Sequence, residues 1–156
     1  MNGYTVVPFS HEHLDGAAAI EAATFSEPWS REAMKLLCTA DYPSLALVDT
    51  EGRTVGYIGA VKVLDELQII NVAVSASLRK MGLGNMLMRE FEALCQRQSI
   101  ATVSLEVRES NAAAISLYKK FGFEITGRRK RFYKAPTEDA LVMVKNRFED
   151  ANKENL

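Results

Sequence analysis

The 156-residue sequence predicts a mixed α/β domain, a central sheet flanked by helices, and three observations carry that expectation. Strand-like segments separated by turn residues fill the stretch from Ser44 to Val74, as in an antiparallel meander. Helical periodicity then sets in at Leu83. From there helical and strand-like segments alternate, which calls for a parallel strand pair near the middle of the sheet.

Taken in order, Tyr4 to Phe9 reads as a strand. Ser10 is placed to cap a helix running through Leu14, Ala17, Ala18 and Ala22. The segment Phe25 to Ser30 breaks that helix at Pro28, and Ser30 can cap a short second helix containing Met34 and Leu37. Strands follow at Ser44 to Asp49, Val55 to Leu64 and Leu67 to Val74, with turns at Glu51-Gly52 and Asp65-Glu66. Leu83, Leu87, Phe91 and Leu94 mark one face of a helix from Gly82 to Gln98. Ala101 to Val107 alternates, with Val103, Leu105 and Val107 on one face and Thr102, Ser104 and Glu106 on the other. A helix from Asn111 to Phe121 stops at Gly122, and strands at Phe123 to Gly127 and Ala140 to Val144 complete the set. One domain over residues 1–147 and a polar, frayed tail over 148–156 are expected.

Composition narrows the function classes. The 19 basic and 20 acidic side chains nearly cancel, whereas a nucleic-acid binder more often carries a basic excess, so no direct nucleic-acid partner is expected. One basic run stands out, Arg128 to Arg131; a solvated strand or loop, a phosphate or acidic-partner contact, and RNA binding are all open readings. Cys38 and Cys95 form no closely spaced pair, and His11 and His13 have no cysteine nearby, so neither a disulfide framework nor a metal site is expected. No signal-peptide pattern and no apolar run near ~18 residues is present, so a cytoplasmic, membrane-free protein is expected. Nothing in the sequence sets an oligomeric state.

The segment with the most chemical content runs from Ile69 through Val74 to Gly84. A strand ends, a loop turns, and a helix opens on Gly82 and Gly84. The first turn of a helix presents unpaired N–H groups and a positive dipole end, which together suit a pyrophosphate. A Walker loop would need Gly-Lys followed by Ser or Thr, and a dinucleotide fingerprint would need a third glycine. Neither is present. Simple turn and packing roles for the two glycines stay open on these residues alone.

Arg79-Lys80-Met81-Gly82-Leu83-Gly84 resembles the acyl-CoA signature of the GNAT N-acetyltransferase superfamily: Gln or Arg, two variable residues, Gly, one variable residue, then Gly or Ala. The element order is similar from Tyr4 to Lys145. The resemblance implies the GNAT fold, with a splayed parallel strand pair, and acetyl-CoA as cosubstrate. It implies that backbone amides from Lys80 through Asn85 wrap the pyrophosphate, with Arg79 heading the loop. It further implies that main-chain groups of Val72, Ala73 and Val74 pair with the pantetheine arm and hold the acetyl carbonyl.

Leu105-Glu106-Val107-Arg108-Glu109-Ser110-Asn111, continued through Tyr118 to Phe123, resembles a narrower branch, the bacterial ribosomal-protein alanine N-acetyltransferases. Pro28-Trp29-Ser30 and Asp139 to Met143 fit it too. That resemblance implies transfer of acetyl to a protein N-terminus, with Glu106 as general base, Tyr118 as proton donor to the leaving thiolate and Asn111 as a coenzyme contact. Trp29, Phe132 and Tyr133 are implied to line the acceptor pocket. The branch often has Tyr-Tyr where this sequence has Phe132-Tyr133. On the residues alone, Glu106 also reads as an exposed strand glutamate, Tyr118 as a core aromatic and Asn111 as a helix cap. Small-molecule amines and lysine side chains are the alternative acceptors. Neither cysteine has a histidine nearby in sequence, so direct attack without an acyl-enzyme is expected.

Overall fold

A computed structural model describes residues 3–146. The tail expected over 148–156 lies outside the described residues. Seven strands form one sheet: β1 (Tyr4–Pro8), β2 (Leu45–Asp49), β3 (Thr54–Val63), β4 (Glu66–Val74), β5 (Thr102–Arg108), β6 (Glu124–Tyr133) and β7 (Glu138–Asn146). Their order is β1-β2-β3-β4-β5-β7-β6, and β4–β5 is the parallel pair. The helices are α1 (Leu14–Thr24), α2 (Arg31–Met34), α3 (Leu83–Arg97) and α4 (Ala112–Lys120).

Each face of the sheet has its own core. On one face α3 buries Leu83, Leu87, Phe91 and Leu94 against Leu67, Ile69, Val103 and Leu105, with Tyr118 of α4 beside them. On the other, α1 and α2 bring Leu14, Ala17, Ile20 and Met34 onto Ala46, Tyr57 and Ala73. Each fully buried aliphatic side chain contributes roughly 1.5–3 kcal/mol of transfer free energy. Among the described residues, no helix is long and apolar enough to cross a membrane.

α1 runs through Leu14, Ala17, Ala18 and Ala22, with Leu14, Ala17, Ile20 and Glu21 on its buried face. Two expectations are corrected. Ser10 precedes a short 3-10 turn (His11–His13), and α1 begins only at Leu14. β6 runs to Tyr133 instead of stopping near Gly127, so the whole basic run lies on a strand. It is an edge strand, exposed from Glu124 through Phe132, and therefore lacks the apolar alternation that marks a half-buried strand.

β4 contains a bulge that matters for the site. Asn71 lies opposite Gly59 and Ile69 opposite Ala60, so Ile70 is an extra residue. The alternation inverts across it. Leu67 and Ile69 face the α3 core before the bulge, Val72 and Val74 face it after, and Ala73 faces the α1 core.

Candidate active site

The glycine-bearing loop is shaped by positive backbone φ angles. Lys80 stands at φ 66° and Gly82 at φ 81°, the latter capping α3. Glycine adopts that region freely, which turns the chain sharply into the helix. Met86 donates its N–H to Gly82 O at 3.2 Å, so the N–H groups of Leu83, Gly84 and Asn85 face off the helix end. The first turn holds no acidic residue. Gly84 has a separate reason: a Cβ there would lie 3.3 Å from Leu117 Cδ2, so glycine lets α3 approach α4. Arg79 pins the loop from below, donating from Nε to Val74 O at 3.2 Å and from Nη2 to Thr24 Oγ1 at 3.3 Å. Asn85 Oδ1 is buried without a hydrogen-bond partner among the described residues. Main-chain donors, a positive dipole end and flanking Arg79 and Lys80 form a donor set that fits a pyrophosphate. Met81 is exposed and Leu83 is core, so both offer the loop backbone rather than side-chain chemistry.

Strand β4 then opens away from β5. Their paired register covers Glu66–Gln68 against Thr102–Ser104 and goes no further, although both strands continue. Val72, Ala73 and Val74 pair with Ile58, Tyr57 and Gly56 of β3 on one side only. A strand flanked on one side aims half its N–H and C=O groups into the gap. The gap leaves main-chain groups of Val72 to Val74 unpaired on the β5 side, a geometry that suits a long, thin group.

Glu106 stands at the edge of this gap. It follows Ser104 on the same face of β5, between buried Leu105 and Val107. Its side chain is 16% exposed; Oε2 accepts from Gln68 Nε2 at 3.0 Å, and Oε1 lies 3.3 Å from Arg129 Nε. Gln68 is the last β4 residue paired with β5, so the hydrogen bond spans the point where the strands part.

Tyr133 lies within electrostatic reach of it, and Tyr118 within reach of Tyr133. Burial, and then the charge of Glu106, push the Tyr133 phenol up to about 12. Tyr118 is 6% exposed. Burial, with the Tyr133 phenol adding to it, moves its phenol well above the ordinary tyrosine value. A phenol in that state keeps its proton at neutral pH and stands as an O–H hydrogen-bond donor. Tyr118 also packs on Phe123 at 5.9 Å between ring centroids, so a core role holds alongside any chemical one. Phe132 meets Tyr133 edge-on at 5.1 Å and is 45% exposed. Asn111 caps α4, its Oδ1 accepting from Ala114 N at 3.2 Å, which leaves Nδ2 outside the cap. Trp29 is half-buried against the α1 core.

Two networks were not anticipated. Glu21, 1% exposed, is a carboxylate inside the α1 core. It accepts from Trp29 N at 2.9 Å, from Asn71 Nδ2 at 3.0 Å and from the Tyr57 hydroxyl. Burial, and then the carboxylate, drive the Tyr57 phenol far above its ordinary value. Glu21 thus ties the α1–α2 loop to the β4 bulge. The available signal was a lone acidic residue four positions after Ala17 on an otherwise apolar helix face. The second network centres on Arg108, whose guanidinium reaches Ser26, Lys134, Pro136 and Glu138. No spacing rule marks it, because its partners lie in two loops far apart in the chain.

The model of the acetyltransferase (GNAT) family matches residues 14–123. A Bacillus subtilis relative is 38% identical over 133 residues, spanning 85% of this chain and 88% of its own length. The Escherichia coli ribosomal protein bS18-alanine N-acetyltransferase is 32% identical over 144 residues, covering 90% of this chain and 95% of that protein. Its crystal structure superposes with a TM-score of 0.85 over 92% of this chain and 93% of that one, at 30% identity. Ard1 from Thermoplasma volcanium gives the same TM-score of 0.85, at 30% identity, over 92% of this chain and 97% of its own.

Proposed function

This chain belongs to the acetyltransferase (GNAT) family and is an N-acetyltransferase, and from that premise we propose that it acetylates the N-terminal α-amino group of a protein. The first candidate acceptor is the N-terminal alanine of small-subunit ribosomal protein S18, since relatives over nearly the whole chain carry that name. A ribosomal acceptor would set the reaction in the cytoplasm. A single acetyltransferase domain over residues 1–147 is part of the same reading, supported by the one seven-stranded sheet among the described residues.

The observation that carries this reading is Glu106 at the parting of β4 and β5, held by Gln68 and within electrostatic reach of the Tyr133 phenol. GNAT enzymes use acetyl-CoA as donor. Its pyrophosphate would be held by the N–H groups opening α3, with Arg79, Lys80 and Met81 forming the turn and the Asn111 amide as a further contact. Its pantetheine arm would lie along Val72 to Val74. An N-terminal ammonium has an ordinary pKa near ~8 and must lose a proton before attack. Glu106, directly or through one water, takes that proton. The amine nitrogen then bonds to the thioester carbonyl carbon within the ternary complex. A β4 main-chain N–H supports the oxyanion. As the carbon–sulfur bond breaks, the Tyr118 phenol passes its proton to the departing thiolate, and the second proton shed by the newly acylated nitrogen restores the phenol through solvent. Trp29, Phe132 and Tyr133 wall the acceptor side.

The test is coenzyme A release with an alanine-starting S18 peptide, the same peptide acetylated at its terminus, a peptide with one internal lysine, and spermidine. Turnover confined to the free terminus supports the reading, and Glu106→Gln should then lower kcat by roughly 10²–10⁴-fold. Turnover confined to spermidine or to internal lysine overturns the acceptor while leaving the family intact.

A further inference from the structure

We propose that Arg108 is a positioning residue for the acceptor: its guanidinium clamps the α1–α2 loop to the β6–β7 loop, so that two separate chain segments form one preformed wall. The inference rests on the amine-acetylating reading above and goes beyond it, because it assigns acceptor affinity to a residue outside the chemistry.

The guanidinium is almost fully committed. Nη1 donates to Pro136 O at 2.9 Å and to Glu138 Oε1 at 3.1 Å. Nη2 donates to Ser26 Oγ at 2.9 Å and to Lys134 O at 2.8 Å. Its carbon sits 4.5 Å from the centroid of the Tyr133 ring, within cation–π range. The side chain is 22% exposed and that of Glu138 is 17% exposed, so these bonds are sheltered from competing water. Glu138 is itself fixed, accepting from Ser110 N through its other oxygen at 2.6 Å.

The clamp joins segments that otherwise touch lightly. Among the described residues, the direct hydrogen bonds between the two loops are Ser26 Oγ to Lys134 O at 3.1 Å and Lys134 N to Glu27 Oε1 at 2.9 Å. Both use the backbone of one residue. Arg108 adds one bond to the α1–α2 loop and two to the β6–β7 loop, and stacks on Tyr133, the aromatic whose phenol feels Glu106. It also stands two residues beyond Glu106 on the same face of β5. The strand that offers the base therefore sets the wall at a fixed distance from it.

The chemistry favours arginine and no substitute. Four acceptors diverge around one plane, which a planar fork satisfies and a lysine ammonium cannot. With four of its five N–H groups directed at protein acceptors, and as a guanidinium that stays protonated, the side chain is no proton donor to the reaction. Its effect must appear in how a peptide is received, since a preformed wall lowers the ordering cost that binding otherwise bears.

The experiment compares wild type, Arg108→Lys and Arg108→Ala with the S18 peptide and with spermidine, alongside acetyl-CoA Kd, Tm and amide hydrogen exchange at residues 26–29 and 133–137. Both variants should raise the peptide KM roughly ten- to hundredfold, the scale of one or two charge-assisted hydrogen bonds. Peptide kcat should stay within about threefold and acetyl-CoA Kd should not move. Exchange should quicken in both loops together. An unchanged peptide KM with lowered Tm would reduce Arg108 to fold support and overturn the proposal. So would a fall in kcat at constant KM, or quickened exchange in one loop only. Should wild type acetylate spermidine and no peptide, the N-terminal reading fails separately. The clamp then stands only if spermidine KM rises and both loops exchange faster.

Discussion

The two halves of the site are made of different material. The cofactor half, from Val72 to Asn85, relies on backbone: a strand edge left open on one side, two positive φ angles and the N–H groups at the start of α3. The acceptor half relies on side chains converging from distant segments: Glu21 on Trp29, Tyr57 and Asn71, and Arg108 on Ser26, Lys134 and Glu138. Main-chain recognition needs only small residues in a fixed local order. Side-chain recognition needs particular groups at particular distances, with buried charge that must be fully partnered.

The largest expected effect comes from removing a buried partner on the acceptor side. Glu21→Ala leaves the Tyr57 hydroxyl, the Asn71 amide and the Trp29 N–H without their acceptor. That should cost about 3 kcal/mol, roughly 6–12 °C in Tm for a chain of this size. Glu21→Gln keeps the volume and one acceptor oxygen and should lose less. Thermal unfolding and isothermal titration of acetyl-CoA on the same samples separate the halves. If acetyl-CoA affinity at low temperature falls as far as stability does, the halves are one unit, joined through Asn71, and the contrast breaks.

A smaller effect is expected on the cofactor side. Gly82→Ala places a Cβ on a residue at φ 81°, a left-handed conformation that costs an L-residue about 1–2 kcal/mol. The acetyl-CoA KM should rise roughly five- to thirtyfold with the peptide KM unchanged. Steady-state kinetics with each substrate varied in turn gives the answer. A rise in peptide KM instead would place the loop's influence on the wrong half.

The same difference in material decides what was legible. The turn from β4 into α3 could be read because its requirements are local: glycines two apart, a strand before, a helix after. Glu106 was legible from the alternation of β5, which set it on the polar face opposite Val103, Leu105 and Val107. Glu21 and Arg108 were not, because nothing in α1 or β5 records what folds against it. The length of β6 was hidden for another reason. At the sheet edge it needs no buried face, so Arg128 to Arg131 carry no period-two signal. The structure also spends part of that run: Arg128 pairs with Glu109 and Asp139, and Arg129 with Glu106.

Acid should distinguish the halves most subtly. Glu138 is held below its ordinary 4.5, chiefly by hydrogen bonds from Ser110 and then from Arg108. Asp139 is held below its ordinary 3.8 by the Arg131 N–H and then by Arg128. A carboxyl with a depressed folded pKa adds stability that is present above its unfolded pKa and lost as pH falls through the folded one. At pH 7 Glu138→Gln and Asp139→Asn should therefore each lower Tm, Asp139→Asn only slightly because its partner Arg128 is open to solvent. The deficit should shrink below about pH 4 and vanish near about pH 2–3. Melting curves of wild type and both variants across that range measure it. Hydrogen exchange over 128–139 in the wild type should quicken in the same window, while the α3 amides from Met86 onward, whose bonds depend on no carboxylate, should keep their protection. A deficit constant with pH would mean that the two side chains act by packing and not by charge. The acceptor half would then differ from the cofactor half in shape alone.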